Sequence, residues 1–243
     1  MGLIRENKIC DIHSHIVYGI DDGSIDLKMS IDMLRDAYKQ GIKSVICTSH
    51  SGSNIEKYYK NLNMLKDKLK KKNIDINLYP GCEIYCCYDN IENIITQLDN
   101  KRIPSINNTK YVLIEFEPDI LLSEIIYCCK EIIQHNYIPI IAHIERYQNL
   151  FILNYGIDIL KNMECIFQVN IYSLQDERDT KIKENARYLL NKKYITFVGS
   201  DSHSMYHRPY MITNGIEYIY EKCTDVYADD ILYKNAQFLL NIK

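Results

Sequence analysis

The sequence is poor in residues that separate domains, because its 243 residues include only nine glycines and five prolines and show no linker or repeat. We therefore predict a single domain over residues 1–243.

The sequence also lacks an excess of basic residues, since 29 Lys and Arg face 32 Asp and Glu for a net charge of −3, which argues against a nucleic-acid partner. No apolar run approaches the roughly 20 residues of a membrane-spanning helix, and the N-terminus lacks the apolar stretch of a secretory signal. No membrane insertion is expected.

The nine cysteines also lack a pattern, because their number is odd and no CxxC spacing occurs. A disulfide framework is therefore disfavoured, and most of these cysteines lie in apolar runs, where a free thiol behaves as a small buried side chain. This usage is typical of a reducing compartment, so we predict a cytoplasmic protein. A zinc site near Cys82, Cys86 and Cys87 would lack a second ligand pair at suitable spacing.

Apolar segments of strand length alternate with amphipathic segments of helix length along the chain. Helices are predicted at 26–40, 54–72 and 120–135, and Gly41 follows the first helix where a helix-ending glycine belongs. Seven strands are predicted at 8–12, 44–48, 74–79, 111–116, 138–142, 165–169 and 195–198. The alternation, with an ordinary globular balance of 47% hydrophobic and 25% charged residues, indicates an α/β protein with a parallel sheet or barrel.

Histidines and carboxylates follow the predicted strands, at the points where they end. These residues are His13, His15, His50, Glu83, Glu115, His143, Asp201 and His203. Because the carboxyl ends of parallel strands meet on one face, we expect these side chains to share one cleft. His13 and His15 are two residues apart, so both point to the same side of the first strand. Asp21 and Asp22 lie in a glycine-flanked loop that could return a carboxylate to the cleft, and spacing does not choose between them.

The mixture of imidazole and carboxylate groups is typical of sites for Mn²⁺, Fe²⁺ or Zn²⁺. The set exceeds the three protein ligands typical of one catalytic zinc, so we predict two or three divalent ions. Two-metal sites suit in-line displacement at phosphorus, and Arg146 and Arg208 are candidate clamps for phosphate oxygens. By spacing alone, Glu117 remains an alternative to Glu115.

The segment D-I-H-S-H-I-x-x-G-I-D-D-G at 11–23 resembles the opening of the bacterial PHP-domain (polymerase and histidinol phosphatase) tyrosine phosphatases of the CpsB/CapC/YwqE type. The likeness continues in order through T-S-H at 48–50, G-C-E-I-Y at 81–85, Y-V-L-I-E-F at 111–116, A-H-I-E-R-Y at 142–147 and G-S-D-S-H at 199–203. It covers nearly the whole chain. The resemblance implies a phosphotyrosine protein as partner, namely the tyrosine-rich tail of a kinase that regulates capsule and exopolysaccharide synthesis.

The resemblance also implies a distorted seven-stranded (β/α) barrel and a trinuclear site that usually holds manganese. Carried over by position, the metal ligands are His13, His15, Asp22, His50, Glu83, Glu115, His143, Asp201 and His203. The resemblance thus selects Asp22 over Asp21 and Glu115 over Glu117. It further implies that the two arginines bind phosphate and are catalytic.

Two segments depart from the family pattern. Ser51 stands where the family often has a second histidine, and residues 171–174 lack the small side chains often found there. Both are expected near the pocket mouth, where they bear on substrate preference. Elsewhere in the chain, we interpret His135 as a structural residue. The role of His207 is left undecided.

The predicted reaction is hydrolysis of phosphotyrosine by metal-activated water, with Asp201 or His203 as candidate proton donors. A cysteine-phosphatase mechanism is disfavoured, because no cysteine precedes an arginine at the CxxxxxR spacing. One alternative is a PHP phosphatase acting on a small phosphomonoester such as histidinol phosphate. The other is a metal-stabilised binding module without catalysis.

Overall fold

Eight parallel β-strands form the centre of the molecule in a computed structural model that describes residues 9–152 and 155–242. The strands are β1 Ile9–Ser14, β2 Ile42–Cys47, β3 Asn77–Pro80, β4 Glu83–Tyr85, β5 Tyr111–Glu115, β6 Ile138–Ile141, β7 Ile166–Asn170 and β8 Phe197–Gly199. β1 to β3 form one sheet, and β4 to β8 form a second sheet in sequential order. The predicted α/β class with parallel strands is confirmed. Lys8, where the first strand was predicted to begin, lies outside the described residues.

The predicted third strand at 74–79 corresponds to β3, and an additional strand, β4, follows it, which corrects the predicted count of seven strands. β3 pairs with β2 in the first sheet, whereas β4 pairs with β5 in the second. Gly81 lies between them, and a Cβ atom there would be 2.7 Å from the Ile46 side chain. The chain therefore passes close against β2 and changes sheets at this glycine, which the apolar pattern of the sequence does not reveal.

Short bridges join the two sheets at two places, one beyond the ends of β1 and β8 and the other between the end of β2 and the start of β4. Ser14 at the end of β1 bridges Ser202 beyond β8, and His50 beyond β2 bridges Glu83 in β4. The first junction is extended by a hydrogen bond of 2.9 Å from the His15 N–H to the Ser202 carbonyl oxygen. Residues that follow strands of both sheets are therefore brought together on one side of the molecule.

Helices alternate with the strands. In the described residues the α-helices are α1 Leu27–Lys39, α2 Ile55–Lys71, α3 Ile91–Asp99, α4 Leu122–Gln134, α5 Gln148–Ile152, α6 Gly156–Asn162, α7 Thr180–Asn191, α8 Thr213–Lys222, α9 Asp225–Asp229 and α10 Asn235–Leu239. α1 begins after Asp26, whose carboxylate accepts a hydrogen bond from the Met29 N–H, and it ends before Gly41, which has a φ of +95°. The predicted helices at 26–40, 54–72 and 120–135 are confirmed to within two residues. None of the helices described is long and apolar enough to cross a membrane.

Strands of both sheets contribute to one buried apolar cluster. Its strand members include Ile12, Ile46, Leu113, Ile140 and Phe197, and residues 236, 240 and 242 of the C-terminal segment join it. A larger cluster packs other strand residues against the helices. Burial on both faces explains why the strands read as nearly continuous apolar runs rather than as alternating ones. The shared cluster places the two sheets around a common interior.

Candidate active site

His13 and His15 lie at the end of β1 and are completely buried. The pairing shifts register here, because the three steps from Asp11 to Ser14 face only two steps of β2. Such bulges re-aim side chains near functional sites. The Nε2 atoms of the two histidines are 3.4 Å apart, and Oδ1 of Asp201 lies 3.6 Å from each of them. These three side chains therefore present ligand atoms to one point.

Glu83 at the start of β4 is the centre of the cluster. Its Oε2 lies 3.1 Å from His13 Nε2 and 3.0 Å from His15 Nε2, and its Oε1 lies 3.0 Å from His143 Nε2. Burial alone raises the pKa of this carboxyl group, but the charge and hydrogen bonds of the histidines, His13 first, hold the pKa well below its usual range. Glu83 is therefore a carboxylate surrounded by imidazoles.

Asp22 and His50 form the more exposed side of the cluster. His50 Nδ1 lies 3.0 Å from Glu115 Oε1, and Asp22 Oδ1 lies 3.5 Å from the Nε2 atoms of both His50 and His203. Four overlapping groups of side chains could each hold a metal ion, with ligand atoms within 4.8 Å of one another. Together they contain the nine residues expected from the resemblance: His13, His15, Asp22, His50, Glu83, Glu115, His143, Asp201 and His203.

The donor atoms fit divalent transition ions, because imidazole nitrogens and carboxylate oxygens together suit Mn²⁺, Fe²⁺ and Zn²⁺. His203 provides a second, independent sign. Its Nε2 atom is buried and has no hydrogen-bond partner among the described residues, although it faces Asp22 in the cluster. A buried polar atom without a partner is costly, and a metal ligand removes that cost.

Asp21 orients histidines and is absent from the groups that could hold a metal ion. Its Oδ2 accepts hydrogen bonds from His15 Nδ1 at 2.8 Å and from the His50 N–H at 2.9 Å. His203 Nδ1 similarly donates to the Asp201 carbonyl oxygen at 2.9 Å. When the imidazoles of His15 and His203 are neutral, their Nε2 atoms therefore carry no proton and face the centre of the cluster of histidines and carboxylates. Sequence spacing presented Asp21 only as a rival ligand and missed this orienting position.

Both predicted arginines contact Asp201. Arg146 Nη2 lies 2.7 Å from Asp201 Oδ2 and donates to the Tyr172 hydroxyl oxygen at 2.6 Å. Arg208 Nη1 lies 3.3 Å from the same carboxylate oxygen, and its Nη2 lies 3.5 Å from Asp22 Oδ2. Arg208 Nε is buried without a hydrogen-bond partner. The guanidinium groups therefore lie at the edge of the cluster. The contact with Tyr172 was not predicted.

Three of these site residues have left-handed backbone conformations although none is glycine. The φ angles are +32° at His143, +52° at Asp201 and +52° at Arg208. Such conformations are unfavourable for most side chains and tend to occur at functional sites. The surrounding hydrogen bonds therefore hold the backbone in place at these positions.

Several candidate residues lie outside the cluster. His135 is exposed and its Nδ1 donates to the Glu131 carbonyl oxygen of its own helix, in agreement with a structural role. His207 is exposed and is absent from the metal-holding groups in the described residues. Glu117 is exposed and accepts from the Tyr85 hydroxyl at 3.2 Å, so Glu115 rather than Glu117 reaches the cluster.

Comparison with known families gives a match over nearly the whole chain. A family model for capsular polysaccharide synthesis, CpsB/CapC, matches residues 9–241. The chain belongs to this family. Tyrosine-protein phosphatase CpsB of Streptococcus agalactiae serotype III (strain NEM316) is 30% identical over 240 residues, which cover 95% of this chain and 97% of that protein. Tyrosine-protein phosphatase YwqE of Bacillus subtilis (strain 168) is 31% identical over 238 residues, which cover 95% and 91%.

One solved structure agrees with membership of the CpsB/CapC family, and a second shares only the fold. A crystal structure from work on B. subtilis YwqE and Streptococcus pneumoniae CpsB, metal-dependent tyrosine phosphatases, has a TM-score of 0.84 at 30% identity and covers 96% of this chain and 94% of that one. Histidinol phosphate phosphatase from Lactococcus lactis, solved with zinc, L-histidinol and phosphate, has a TM-score of 0.60 at 16% identity and covers 88% and 93%. The latter similarity shows a shared fold.

The metal-free protein is expected to lose stability as the pH rises from about 6.5 to about 10. Burial alone lowers the pKa of His15, but hydrogen bonds to Asp21 and Glu83 raise it from 6.5 to about 10. A group whose pKa is raised by folding stabilises the fold fully below its ordinary pKa, and the contribution disappears as the pH approaches the raised value. Thermal unfolding of chelator-treated protein across this pH range measures the effect.

His15→Gln is the control for this pH dependence, because other groups also titrate near the alkaline end of the range. The variant is expected to show a shallower decrease of the melting temperature with pH than the parent protein. A melting temperature that stays constant or rises over the range in the metal-free parent would contradict the prediction.

Proposed function

We propose that this CpsB/CapC-family chain is a metal-dependent protein-tyrosine phosphatase that hydrolyses phosphotyrosine on the tail of a bacterial tyrosine kinase controlling capsule or exopolysaccharide synthesis. The observation that carries the proposal is the cluster of histidines and carboxylates with two arginines at its edge. The names of the CpsB and YwqE relatives, which cover nearly the whole chain, support the substrate class. We further propose a cytoplasmic location, which the cysteine usage of the sequence favours.

We propose that the metal ligands are the nine clustered residues and that they hold two or three ions, with manganese as the expected metal. When bound, such ions lower the pKa of water toward neutrality and neutralise charge on phosphate oxygens. Glu83 lies within 3.1 Å of the ligand nitrogens of three histidines and would belong to two of the metal-holding groups. We also interpret the two bridged sheets, with their common interior, as a distorted barrel.

Arg146 and Arg208 are proposed to bind the phosphate oxygens and to stabilise the charge that develops on them. A guanidinium group matches phosphate geometry through two parallel N–H donors. Burial opposes the charge of Arg146, but Asp201 and Tyr172 hold its pKa above the usual value, so the residue remains cationic. The contacts of both arginines with Asp201 fix them beside the metal ligands.

Neither Asp201 nor His203 is favoured as the proton donor. Burial and the nearby charge of His15 lower the pKa of His203 to about 3, and the charges of His13 and Arg146 hold the pKa of buried Asp201 below its usual range. At neutral pH Asp201 is therefore ionised, and His203 is neutral with its remaining proton on Nδ1, where the proton is hydrogen-bonded to the Asp201 carbonyl oxygen. The tyrosine phenolate, with a pKa near 10, needs a proton donor less than an alkoxide leaving group does.

Phosphate release from a phosphotyrosyl peptide in Mn²⁺, measured beside histidinol phosphate, tests the proposal. We expect release from the peptide that a chelator abolishes and that His13→Ala removes, because His13 belongs to two of the metal-holding groups. Preference for histidinol phosphate would contradict the substrate and favour the small-molecule alternative. Bound metal without release from either ester would indicate a binding module.

Replacing Cys82 with serine is expected to leave phosphate release largely intact, because the proposed reaction uses metal-activated water and not a thiol. Cys82 is adjacent to Glu83, but its side chain is buried, and burial raises the pKa of its thiol well above the usual value. Such a thiol is a poor nucleophile. Steady-state kinetics with metal analysis checks this. Loss of turnover at unchanged metal content would point instead to a cysteine mechanism.

A further inference from the structure

The strand β7 carries two buried amides although no predicted metal ligand follows it. Gln168 and Asn170 have no exposed surface. They are two residues apart on one strand, so both side chains lie on the same side of the sheet. Their side chains lie between His13, in the first sheet, and Asp201, beyond the last strand.

The orientation of the Gln168 amide follows from its partners. A backbone N–H can only donate, and the His143 N–H lies 2.8 Å from one side-chain atom of Gln168, which must therefore be the oxygen Oε1. His13 Nδ1 lies 3.0 Å from the same oxygen. Because this oxygen accepts, His13 Nδ1 must carry a proton, and Nε2 is left as the free donor atom of the neutral ring. That nitrogen faces Glu83 and Asp201.

The chain of hydrogen bonds continues in one direction to Asp201. Gln168 Nε2 donates to Asn170 Oδ1 at 2.9 Å, so the other end of the Asn170 amide is the donor. Asn170 Nδ2 lies 3.2 Å from Asp201 Oδ2. Asn170 thus joins Arg146, at 2.7 Å, and Arg208, at 3.3 Å, as donors to Asp201 Oδ2, and Oδ1 faces the Nε2 atoms of His13 and His15 at 3.6 Å.

Gly199 leaves space for this arrangement. A Cβ atom at Gly199 would be 2.6 Å from His13 Cβ and 2.9 Å from Gln168 Nε2. The end of β8 therefore approaches both His13 and the Gln168 amide closely. As a result, β8 packs as one unit with His13 and with the side chains of Gln168 and Asn170.

We infer that Gln168 and Asn170 are positioning residues whose side-chain amides form a directional chain of hydrogen bonds, here called the relay. The relay holds His13 as the Nδ1–H tautomer and turns Asp201 Oδ1 toward the metal position that His13 Nε2 faces. Partners of this kind typically change metal affinity by about 10- to 100-fold when they are removed. The inference concerns metal binding, so it does not depend on the proposed substrate.

Mn²⁺ binding to Asn170→Asp and Gln168→Glu tests the direction of the relay, with free Mn²⁺ measured by electron paramagnetic resonance. Each substitution preserves size but places two acceptor oxygens against each other, at Asp201 in the first variant and at Asn170 in the second. We expect each variant to bind Mn²⁺ about 10- to 100-fold more weakly. Asn235→Asp is the matched control, because the described hydrogen bond of Asn235 Nδ2 goes to the Thr196 carbonyl oxygen, at 2.9 Å, and Asn235 is absent from the cluster.

A double-substitution cycle separates a relay from two independent contacts. Gln168→Met and Asn170→Leu remove the amides at similar volume, and the double variant is expected to lose little more Mn²⁺ affinity than the weaker-binding single variant. Losses that multiply in the double variant would contradict a relay. Thermal unfolding of each metal-free variant identifies those that fold, and only folded variants enter the cycle.

The imidazole N–H signals of the Zn²⁺-loaded protein provide a readout that does not involve affinity. We expect the Nδ1–H proton of His13 to be slow to exchange with water in the parent and in Asn170→Asp, and to exchange faster in Gln168→Met. The relay is wrong if Asn170→Asp and Gln168→Glu both fold and both bind Mn²⁺ within about twofold of the parent. It is equally wrong if the His13 signal is unchanged in Gln168→Met.

Discussion

Glu83→Gln is expected to reduce metal-dependent phosphatase activity by roughly 10³-fold or more, because several kcal/mol of charge stabilisation by metals corresponds to a factor of this size. Glu83 belongs to two of the four metal-holding groups and contacts the ligand nitrogens of three histidines. Glutamine preserves the shape of the side chain but removes its charge and replaces one acceptor oxygen with an N–H donor. That donor would face His13 and His15 or His143, so metal occupancy is expected to fall together with activity.

Phosphate release and bound metal per chain, measured on the same samples of Glu83→Gln, check this prediction. Glu117→Gln is the matched control, because Glu117 is an exposed carboxylate whose described hydrogen bond comes from the Tyr85 hydroxyl. The control is expected to retain parental activity and metal content. Full metal occupancy and near-parental turnover in Glu83→Gln would contradict the central position of Glu83.

The clustering of most of these side chains could be predicted from the sequence, because one simple rule places them. Parallel strands bring their carboxyl ends to one face, so His13, His50, His143 and Asp201 meet there although they are far apart in the chain. Spacing did not settle which of two neighbouring carboxylates reaches the cluster. Only the resemblance to the family selected Asp22, and the structure places Asp22, not Asp21, among the metal-holding groups.

The hydrogen-bond partners of the site residues could not be predicted, because their positions depend on long-range packing. Tyr172 and Arg146 are 26 residues apart, and Gln168 and His13 are 155 apart. In the sequence, Gln168 is a polar residue in a strand and Asp21 is the neighbour of a ligand. The change from one sheet to the other at Gly81 is equally hidden, since it depends on how closely the chain passes Ile46. The order and direction of the strands are enough to predict which side chains meet at the strand ends. Their hydrogen-bond partners can be identified only in the packed structure.

Arg146→Lys is expected to lower kcat by about 10²- to 10³-fold, as for the loss of one donor aimed at developing charge. Lysine preserves the positive charge but loses the planar fork, so it cannot contact Tyr172, Asp201 and a phosphate oxygen together. The two contacts of Arg146 Nη2, at 2.6 Å and 2.7 Å, fix the present orientation of the guanidinium group. Metal content is expected to remain parental, since Arg146 contributes no ligand atom to the groups that could hold metal.

Steady-state kinetics on a phosphotyrosyl peptide, with metal analysis, separates the arginine from the metal centre. Arg178→Lys is the matched control, because Arg178 is exposed, pairs with Asp176 at 2.9 Å and lies 6.0 Å from the Tyr172 ring without reaching the cluster. Tyr172→Phe is expected to cause a smaller loss than Arg146→Lys, since the guanidinium group then retains Asp201 as its anchor. If Arg146→Lys loses metal and kcat equally, the role of this arginine is to retain the metal. If only kcat falls, its role is to stabilise the charge on the phosphate oxygens.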